Sequence, residues 1–169
     1  MRCLGRPQMV AWGAMKSVLA PVDMSHAAAD VVSEAGALAG NLAGRVLLLH
    51  VVAPPEAINE YAIESERMAD EETKEAERSL ERWRLRLREQ GVNAEATVVH
   101  GPPVSMILEE AARTNADYIV MGSHGHGALY HLLVGGTAGG VIRKATCPVV
   151  VVPSQKAEAG RPVSQAKPT

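Results

Sequence analysis

Five short runs rich in valine, leucine and isoleucine alternate with longer segments of helical periodicity, and this alternation constrains the fold more than any other feature of the chain. The runs span residues 17–22, 45–52, 94–100, 117–122 and 148–153. Most are apolar at nearly every position, which is typical of strands that are covered on both faces. The pattern predicts an α/β fold, with one open parallel sheet, helices on both of its faces and right-handed crossovers.

The connecting segments carry helix start and stop signals. Helices are predicted over residues 25–42 and about 61–90, from Pro103 onward, and from near Thr137 onward. Ser25 is a candidate N-cap of the first helix, and Gly44 and Gly91 are candidate stops of the first two. Pro103 suits the first turn of a helix, where a backbone N–H is not needed.

Length and composition favour one domain in a reducing compartment. The chain has 169 residues with 47% hydrophobic side chains, which suffices for one core. We expect a folded domain over residues 15–153, a disordered leader over 1–14 and a disordered tail over 154–169. The two cysteines, Cys3 and Cys147, form no disulfide framework, and no secretory signal is recognisable, so we expect a cytoplasmic protein.

Charge and hydropathy argue against nucleic-acid and membrane partners. The formal net charge is −2, and no apolar run approaches the ~20 residues that a bilayer span needs. The basic segment 82–88 contains Trp83 and could bind nucleic acid. However, Leu80, Trp83 and Leu87 form a helical stripe, which favours a packed helix whose basic side is solvated.

Residues 122–139 contain six glycines and three histidines directly after the fourth run. Glycines there let the backbone turn sharply and bring N–H groups close to an anion, and the following helix directs its first free N–H groups to the same place. Asp23 follows the first run, and the carboxyl ends of parallel strands lie at the same end of a sheet, so we expect Asp23 near the glycines. The spacing predicts a phosphate cradle, although it matches neither the P-loop nor the dinucleotide-binding fingerprint.

The glycines also fit a known family. Gly122, Gly125 and Gly135 are separated by two and nine residues, which resembles the Gly-x2-Gly-x9-Gly signature of the ATP-binding branch of the universal stress protein family. The segments VLAPVDMS, VLLLHVV, HGPPVSMILEEAARTNADYIVMGSHG and CPVVVVP resemble that family's blocks in the same order. The resemblance covers roughly residues 15–153.

The resemblance implies a five-stranded sheet of order 3-2-1-4-5 that binds ATP or AMP, with or without Mg²⁺, and a homodimer joined through residues 148–152. By position, Asp23 holds the ribose hydroxyls, Pro21 shapes the adjoining turn, and Val51 meets adenine through its backbone. Glycines line the phosphates. The complete set of candidate nucleotide-binding residues is Pro21, Val22, Asp23, Val51, Met121, Gly122, His124, Gly125, Gly135, Gly136, Thr137 and Ala138.

The chain departs from the family signature at two places. Gly136 stands where the signature has serine or threonine, and Gly139 stands where an acidic residue would complete a capping box, so the helix start is weakened and triphosphate binding is less favoured than adenosine binding. Between the second and third glycines the chain has His126, Tyr130 and His131 instead of permanent cations. This predicts stronger nucleotide binding at pH 6 than at pH 8. The permanent cations expected nearby are Arg143 and Lys144.

Several alternatives remain open at this point. The glycines could serve only to let a loop turn, without binding a ligand, and Asp23 could cap a helix. His50, His100 and the histidines of 122–139 could hold a structural metal, although their spacing matches no recognised ligand set.

The function that we favour is a sensor or adaptor that responds to bound nucleotide in the stress response. The alternatives are a dimeric interaction module that no longer binds nucleotide and a slow ATPase. The strand Val149–Val152, which we expect at a sheet edge, would pair with a second copy or be covered by the tail.

Overall fold

The computed structural model describes residues 15–25, 27–54, 62–123 and 135–153. The elements, in chain order, are β1 (Ser17–Pro21), α1 (Ala28–Asn41), β2 (Arg45–Val52), α2 (Ala62–Glu89), β3 (Asn93–His100), α3 (Pro103–Arg113), β4 (Tyr118–Gly122), α4 (Gly136–Lys144) and β5 (Val149–Val152). The strands form a parallel sheet of order β3-β2-β1-β4-β5. The predicted α/β fold and strand order are confirmed. The expected leader and tail lie outside the described residues.

Helices cover both faces of the sheet, and each face has its own core. On one face, α1 and α2 pack on alternate side chains of the strands, among them Val18, Leu48 and Val120. On the other face, α3 and α4 pack on the intervening side chains, such as Leu19 and Ile119. Because both faces are buried, the central strands are apolar at consecutive positions.

The edge strand β3 departs from the continuous apolar pattern. Of its residues only Ala94 is buried, and Glu95 and Ala96 are exposed. An edge strand has a neighbour on one side only and is less fully covered by helices, so polar side chains are tolerated there. The central strands are therefore covered on both faces, as predicted, whereas β3 is covered only in part, with Val98 packed against the core of one face and Val99 against that of the other.

The prediction of Ser25 as the N-cap of the first helix is wrong. α1 begins at Ala28, its N-cap is Ala27, and no side chain caps it. The backbone N–H of Ser25 instead donates to Asp23 Oδ1 at 3.1 Å, and the Ser25 carbonyl accepts from Ala28 N. Ser25 is thus used in the turn that precedes the helix.

Three helices end in the same backbone motif, which after α3 has Asn115 in the left-handed position, with a φ of +48°. After α2, Gly91 has a φ of +81°, as predicted for a glycine stop. After α1, the left-handed residue is Ala43, with a φ of +49°, and the N–H of Gly44 bonds to the Ala39 carbonyl at 2.8 Å. Gly44 therefore follows the left-handed position, and it is needed there because a Cβ would overlap the Lys16 carbonyl.

The remaining helix predictions are confirmed closely. Pro103 is the first residue of α3, and α4 begins at Gly136, one residue before the predicted start. In α2, Leu80 and Leu87 are buried and Trp83 packs against the same core, as the predicted stripe requires. Among the described residues, no helix is both long enough and apolar enough to cross a membrane.

Candidate functional site

The candidate site lies where β1 and β4 end side by side. The two strands pair in parallel, with Leu19 opposite Ile119. The helix that follows β1 packs on one face of the sheet, whereas the helix that follows β4 packs on the other. Neighbouring crossovers therefore leave in opposite directions and open a crevice at the carboxyl ends of these strands, which is where open α/β sheets bind ligands.

The loop after β1 is held by the neighbouring strand β2. The N–H of Val22 donates to the Leu49 carbonyl at 2.8 Å, and the Val22 carbonyl lies 2.7 Å from His50 Nδ1. Asp23 is half-buried, and Met24 has a φ of +59°, which is uncommon for a residue with a side chain. Strained backbone of this kind persists where the surroundings fix it, often at ligand sites.

The end of β4 is fixed by backbone hydrogen bonds on two sides. The N–H of Ser123 donates to the Val152 carbonyl of β5 at 2.8 Å, and the Ser123 carbonyl accepts from Gly135 N, also at 2.8 Å. Ser123 is only 8% exposed. The start of α4 is thereby attached to the end of β4.

The first turn of α4 presents donors to this crevice. The first bond of the helix runs from Gly139 N to the Gly135 carbonyl, so the N–H groups of Gly136, Thr137 and Ala138 have no partner within the helix. Among the described residues, no side chain caps them, and a Cβ placed on Gly136 would meet no atom within 4 Å. Uncapped N–H groups at the positive end of a helix dipole suit an anion.

The other predicted site residues divide into two groups. Pro21 ends β1 and Val22 follows it, Met121 and Gly122 end β4, and Val51 lies near the end of β2. All of them belong to the carboxyl ends of these strands. Val51 and Met121 pack on the face that carries α3 and α4. His124 and Gly125 lie outside the described residues, as do His126, Tyr130 and His131. The role of these residues stays a prediction.

The two predicted cations both stand in the last turn of α4. The backbone of Lys144 lies about 12 Å along the axis from the start of the helix. The Arg143 side chain reaches back along the helix, so that its Nη1 would lie 3.5 Å from a Cβ on Gly139, in the first turn. The guanidinium of Arg143 therefore approaches the start of α4, and a role of either cation toward a bound anion stays a prediction.

The described residues offer no cluster of three or more histidine, cysteine, aspartate or glutamate side chains that could hold a metal ion. Cys147 precedes β5 and therefore lies at the amino ends of the strands, opposite the candidate site. His50, considered from sequence as a metal ligand, is 5% exposed and contacts the Val22 carbonyl. Sequence reasoning missed this contact and the role of Ser123. The signal for His50 was a polar residue at an inward position of an apolar strand.

A separate cavity of about 290 Å³ lies at the opposite end of the sheet, between the start of β2 and β3 and the end of α3. Its lining includes two charged pairs, Arg45 with Glu95 and Arg113 with Glu110. Opposite charges are already paired there. The cavity lies at the amino ends of the strands, so it does not coincide with the candidate site at the carboxyl ends of β1 and β4.

Known proteins resemble this chain over most of its length. The universal stress protein MJ0531 of Methanocaldococcus jannaschii is 31% identical over 144 residues, which cover 85% of each chain. The solved structure of protein MJ0577 of the same organism has a TM-score of 0.73 and 31% identity, and the match covers 82% of this chain and 96% of that one.

Two further structures with this fold were solved as complexes. A universal stress protein of Archaeoglobus fulgidus in complex with dAMP has a TM-score of 0.56 and 21% identity, over 82% of this chain and 97% of that chain. Another universal stress protein, in complex with cAMP, has a TM-score of 0.64 and 23% identity, and the match covers 83% of this chain and 98% of that chain. Some proteins of this fold therefore bind adenine nucleotides.

The model of the universal stress protein family matches residues 15–153, which run from just before β1 to just after β5. The matched segment includes both strand ends of the candidate site and the whole of α4. Together with two relatives that are at least 30% identical, this match shows that the chain belongs to the universal stress protein family.

Proposed function

We propose that the protein binds an adenine nucleotide, AMP or ATP, at the carboxyl ends of β1 and β4, and that it serves as a nucleotide-responsive sensor or adaptor. The observation that carries this proposal is the first turn of α4, where the N–H groups of 136–138 lack partners in the helix and a Cβ on Gly136 would meet no atom of the described residues within 4 Å. A phosphate group fits such donors, since they are directed at it without being neutralised by a side chain.

The other half of the crevice fits a nucleoside. Asp23 is a half-buried carboxylate on a loop that β2 fixes, and carboxylates accept hydrogen bonds from vicinal hydroxyls such as those of ribose. The neighbouring positions are apolar, with Pro21, Val51 and Met121 as the side chains at strand ends. Nucleotide complexes of two relatives support the same class of ligand.

Monophosphate binding is favoured over triphosphate binding by the charges on the described residues. The permanent cations of α4 are Arg143 and Lys144 of its last turn, of which Arg143 extends back toward Gly139, and no residue of the first turn is cationic or caps the helix with a hydroxyl. A triphosphate gains most from cations or Mg²⁺, whereas a single phosphate can be held by backbone N–H groups. AMP is therefore the ligand to test first.

Isothermal titration of the full-length protein with AMP, ADP and ATP, each with and without Mg²⁺, tests the proposal. Mass spectrometry of small molecules released from gently purified protein shows which nucleotide is retained. We expect saturable binding of AMP at one site per chain. Failure of all three nucleotides to bind at millimolar concentration would favour the interaction module that has lost its ligand.

A second proposal concerns self-association through β5. This strand is at the edge of the sheet, and Val150 is 39% exposed. An uncharged edge strand with unpaired backbone groups is a template for another strand, and a second copy offers an identical one. We infer a homodimer joined along Pro148–Val152, in which nucleotide state alters the surface offered to partners.

A further inference from the structure

We propose that His50 is a positioning residue for the nucleotide site. Its Nδ1–H donates a hydrogen bond to the Val22 carbonyl and thereby holds the loop after β1. The expected effect of His50 on nucleotide affinity rests on the proposed function. The hydrogen bond to Val22 does not, since it is present in the protein without ligand.

The contact joins the core of the sheet to the crevice. His50 is 5% exposed and lies on β2, the strand beside β1. Its Nδ1 is 2.7 Å from the oxygen of Val22, the residue directly before Asp23. Since Val22 N already bonds to the Leu49 carbonyl, both polar backbone groups of Val22 are held by consecutive residues of β2. Asp23 therefore leaves the sheet from a fixed point.

The geometry also determines where the proton lies on the imidazole ring. A carbonyl oxygen can only accept, so Nδ1 must carry the hydrogen. In the neutral ring Nε2 is then an acceptor, and it is buried without a hydrogen-bond partner among the described residues. The ring nitrogen that carries the proton is set by the partner of the other nitrogen. His50 is thus committed to the Nδ1–H tautomer.

The other side of the ring contacts α2. Glu72 Oε1 lies 3.8 Å from His50 Nε2, beyond hydrogen-bond distance, and the Glu72 side chain is 57% exposed. The imidazole therefore lies between a helix and the loop of the site.

Loss of the Nδ1–H donor releases the loop without removing any group that touches the nucleotide. A loop that spends only part of its time in the binding geometry lowers the apparent affinity by that fraction. Loss of one hydrogen bond corresponds to roughly a tenfold change. We therefore expect His50→Leu to weaken AMP binding about tenfold.

The tautomer is measured first, in the protein without nucleotide. Long-range ¹H–¹⁵N correlation spectra of the histidine rings distinguish Nδ1–H from Nε2–H, and comparison with the His50→Asn spectrum identifies the signal of His50 among the six histidines. We expect the Nδ1–H form. An Nε2–H ring would overturn the proposal, because it cannot donate to Val22.

Isothermal titration with AMP then compares three variants with the wild type. His50→Asn places an amide N–H close to the position of Nδ1 and should restore most of the affinity that His50→Leu loses. Val46→Ala is the matched control, since Val46 is fully buried on the same side of the same strand, but at its other end. It should lower thermal stability and leave AMP affinity unchanged.

Each remaining outcome decides the matter. If His50→Leu binds AMP as the wild type does, or if His50→Asn is as weak as His50→Leu, the positioning role is wrong. If Val46→Ala weakens binding equally, the effect is one of stability alone, and the role is again wrong. If the wild type binds no AMP, the proposed function fails and the effect on affinity with it, whereas the tautomer still decides whether His50 holds the loop.

Discussion

The backbone N–H of Gly135 donates a hydrogen bond of 2.8 Å to the carbonyl oxygen of Ser123, and this bond joins the start of α4 to the end of β4. Because both groups belong to the main chain, this attachment does not depend on any side chain. The donors of that turn are thereby kept at the carboxyl end of β4, the strand that pairs with β1. Anion binding by uncapped N–H groups requires this kind of fixed placement.

A negative charge at the start of α4 should stabilise the protein and weaken nucleotide binding. Gly136→Asp has space for its side chain and places a carboxylate at the positive end of the helix dipole, which favours folding by about 0.5–1 kcal/mol. The same carboxylate repels phosphate, so AMP affinity should fall about 10- to 100-fold. Thermal denaturation and isothermal titration measure the two effects. Gly136→Asn, which lacks the charge, is the control, and equal affinity of both variants would contradict the prediction.

Asp23→Asn should impair recognition of ribose more than recognition of phosphate. The carboxylate can accept from both ribose hydroxyls, whereas an amide offers a single acceptor oxygen. We expect about a tenfold loss of AMP affinity and little change for 2′,3′-dideoxy-AMP, which lacks both hydroxyls. Competition titrations with the two ligands provide the measurement. Equal losses for both ligands would mean that Asp23 acts only through the turn that it forms with Ser25.

A charge on the exposed edge strand should separate the proposed dimer. Val150→Lys places an ammonium group on β5 at a position that is already 39% exposed, so the fold should tolerate it. Light scattering coupled to size exclusion should show a dimer for the wild type and a monomer for this variant. Leu85→Lys, at a 47% exposed position of α2, should remain dimeric. A monomeric wild type at micromolar concentration would exclude the edge pairing.

Because Asp117 is paired with Lys16, the free energy of unfolding should decrease as the pH becomes acidic. The ammonium group of Lys16, 2.7 Å away, and the backbone N–H of Ser17 keep the pKa of the Asp117 carboxyl below its usual value. A carboxyl whose pKa is lower in the folded protein stabilises it above the unfolded pKa, and that stabilisation is lost as the pH falls through the folded pKa.

Asp117→Ala should therefore cost about 1 kcal/mol at pH 7, mainly through the lost bond to Ser17 N. The difference from wild type should shrink below about pH 4. Urea denaturation at pH 7 and at pH 3 checks both points. A difference that is the same at the two pH values would show that ionisation of Asp117 plays no part.

Replacement by alanine should have opposite effects on stability at two glycines that lie one turn apart in α1. A Cβ on Gly36 would lie 2.5 Å from Cδ2 of Leu87, which is itself buried, so Gly36→Ala should destabilise by about 1–3 kcal/mol. A Cβ on Gly40 would make an ordinary contact of 3.8 Å with Val92, and alanine favours a helix interior by about 0.5–1 kcal/mol. Chemical denaturation of both variants gives the two signs. The same sign for both would contradict the packing of α1 against α2.

The architecture could be predicted from local signals because each of them has one dominant cause. β2 occupies residues 45–52 as predicted, since a central parallel strand buries both of its faces and is apolar throughout. Pro103 begins α3 because its ring fits a first turn. The strand order was implied by family resemblance and not by the residues themselves.

The details that sequence reasoning misses depend on backbone conformation and on contacts that residue types do not signal. Ser25 has the chemistry of an N-cap, but it lies in the turn before α1, which begins only at Ala28. Gly44 fits a helix stop by residue type, yet Ala43 adopts the left-handed conformation, and glycine is needed next to it for the approach of Lys16. His50 offered no local signal for its partner, because the Val22 carbonyl is 28 positions away.

The central claim is that backbone N–H groups at the start of α4 bind the phosphate of an adenine nucleotide. Titration of ¹⁵N-labelled protein with AMP, followed by backbone amide spectra, tests it most directly. We predict that the amides of Gly136, Thr137 and Ala138 shift most, together with those of Gly122 and Ser123, with one common dissociation constant. Saturation by AMP that leaves these amides unchanged while others shift would contradict the claim.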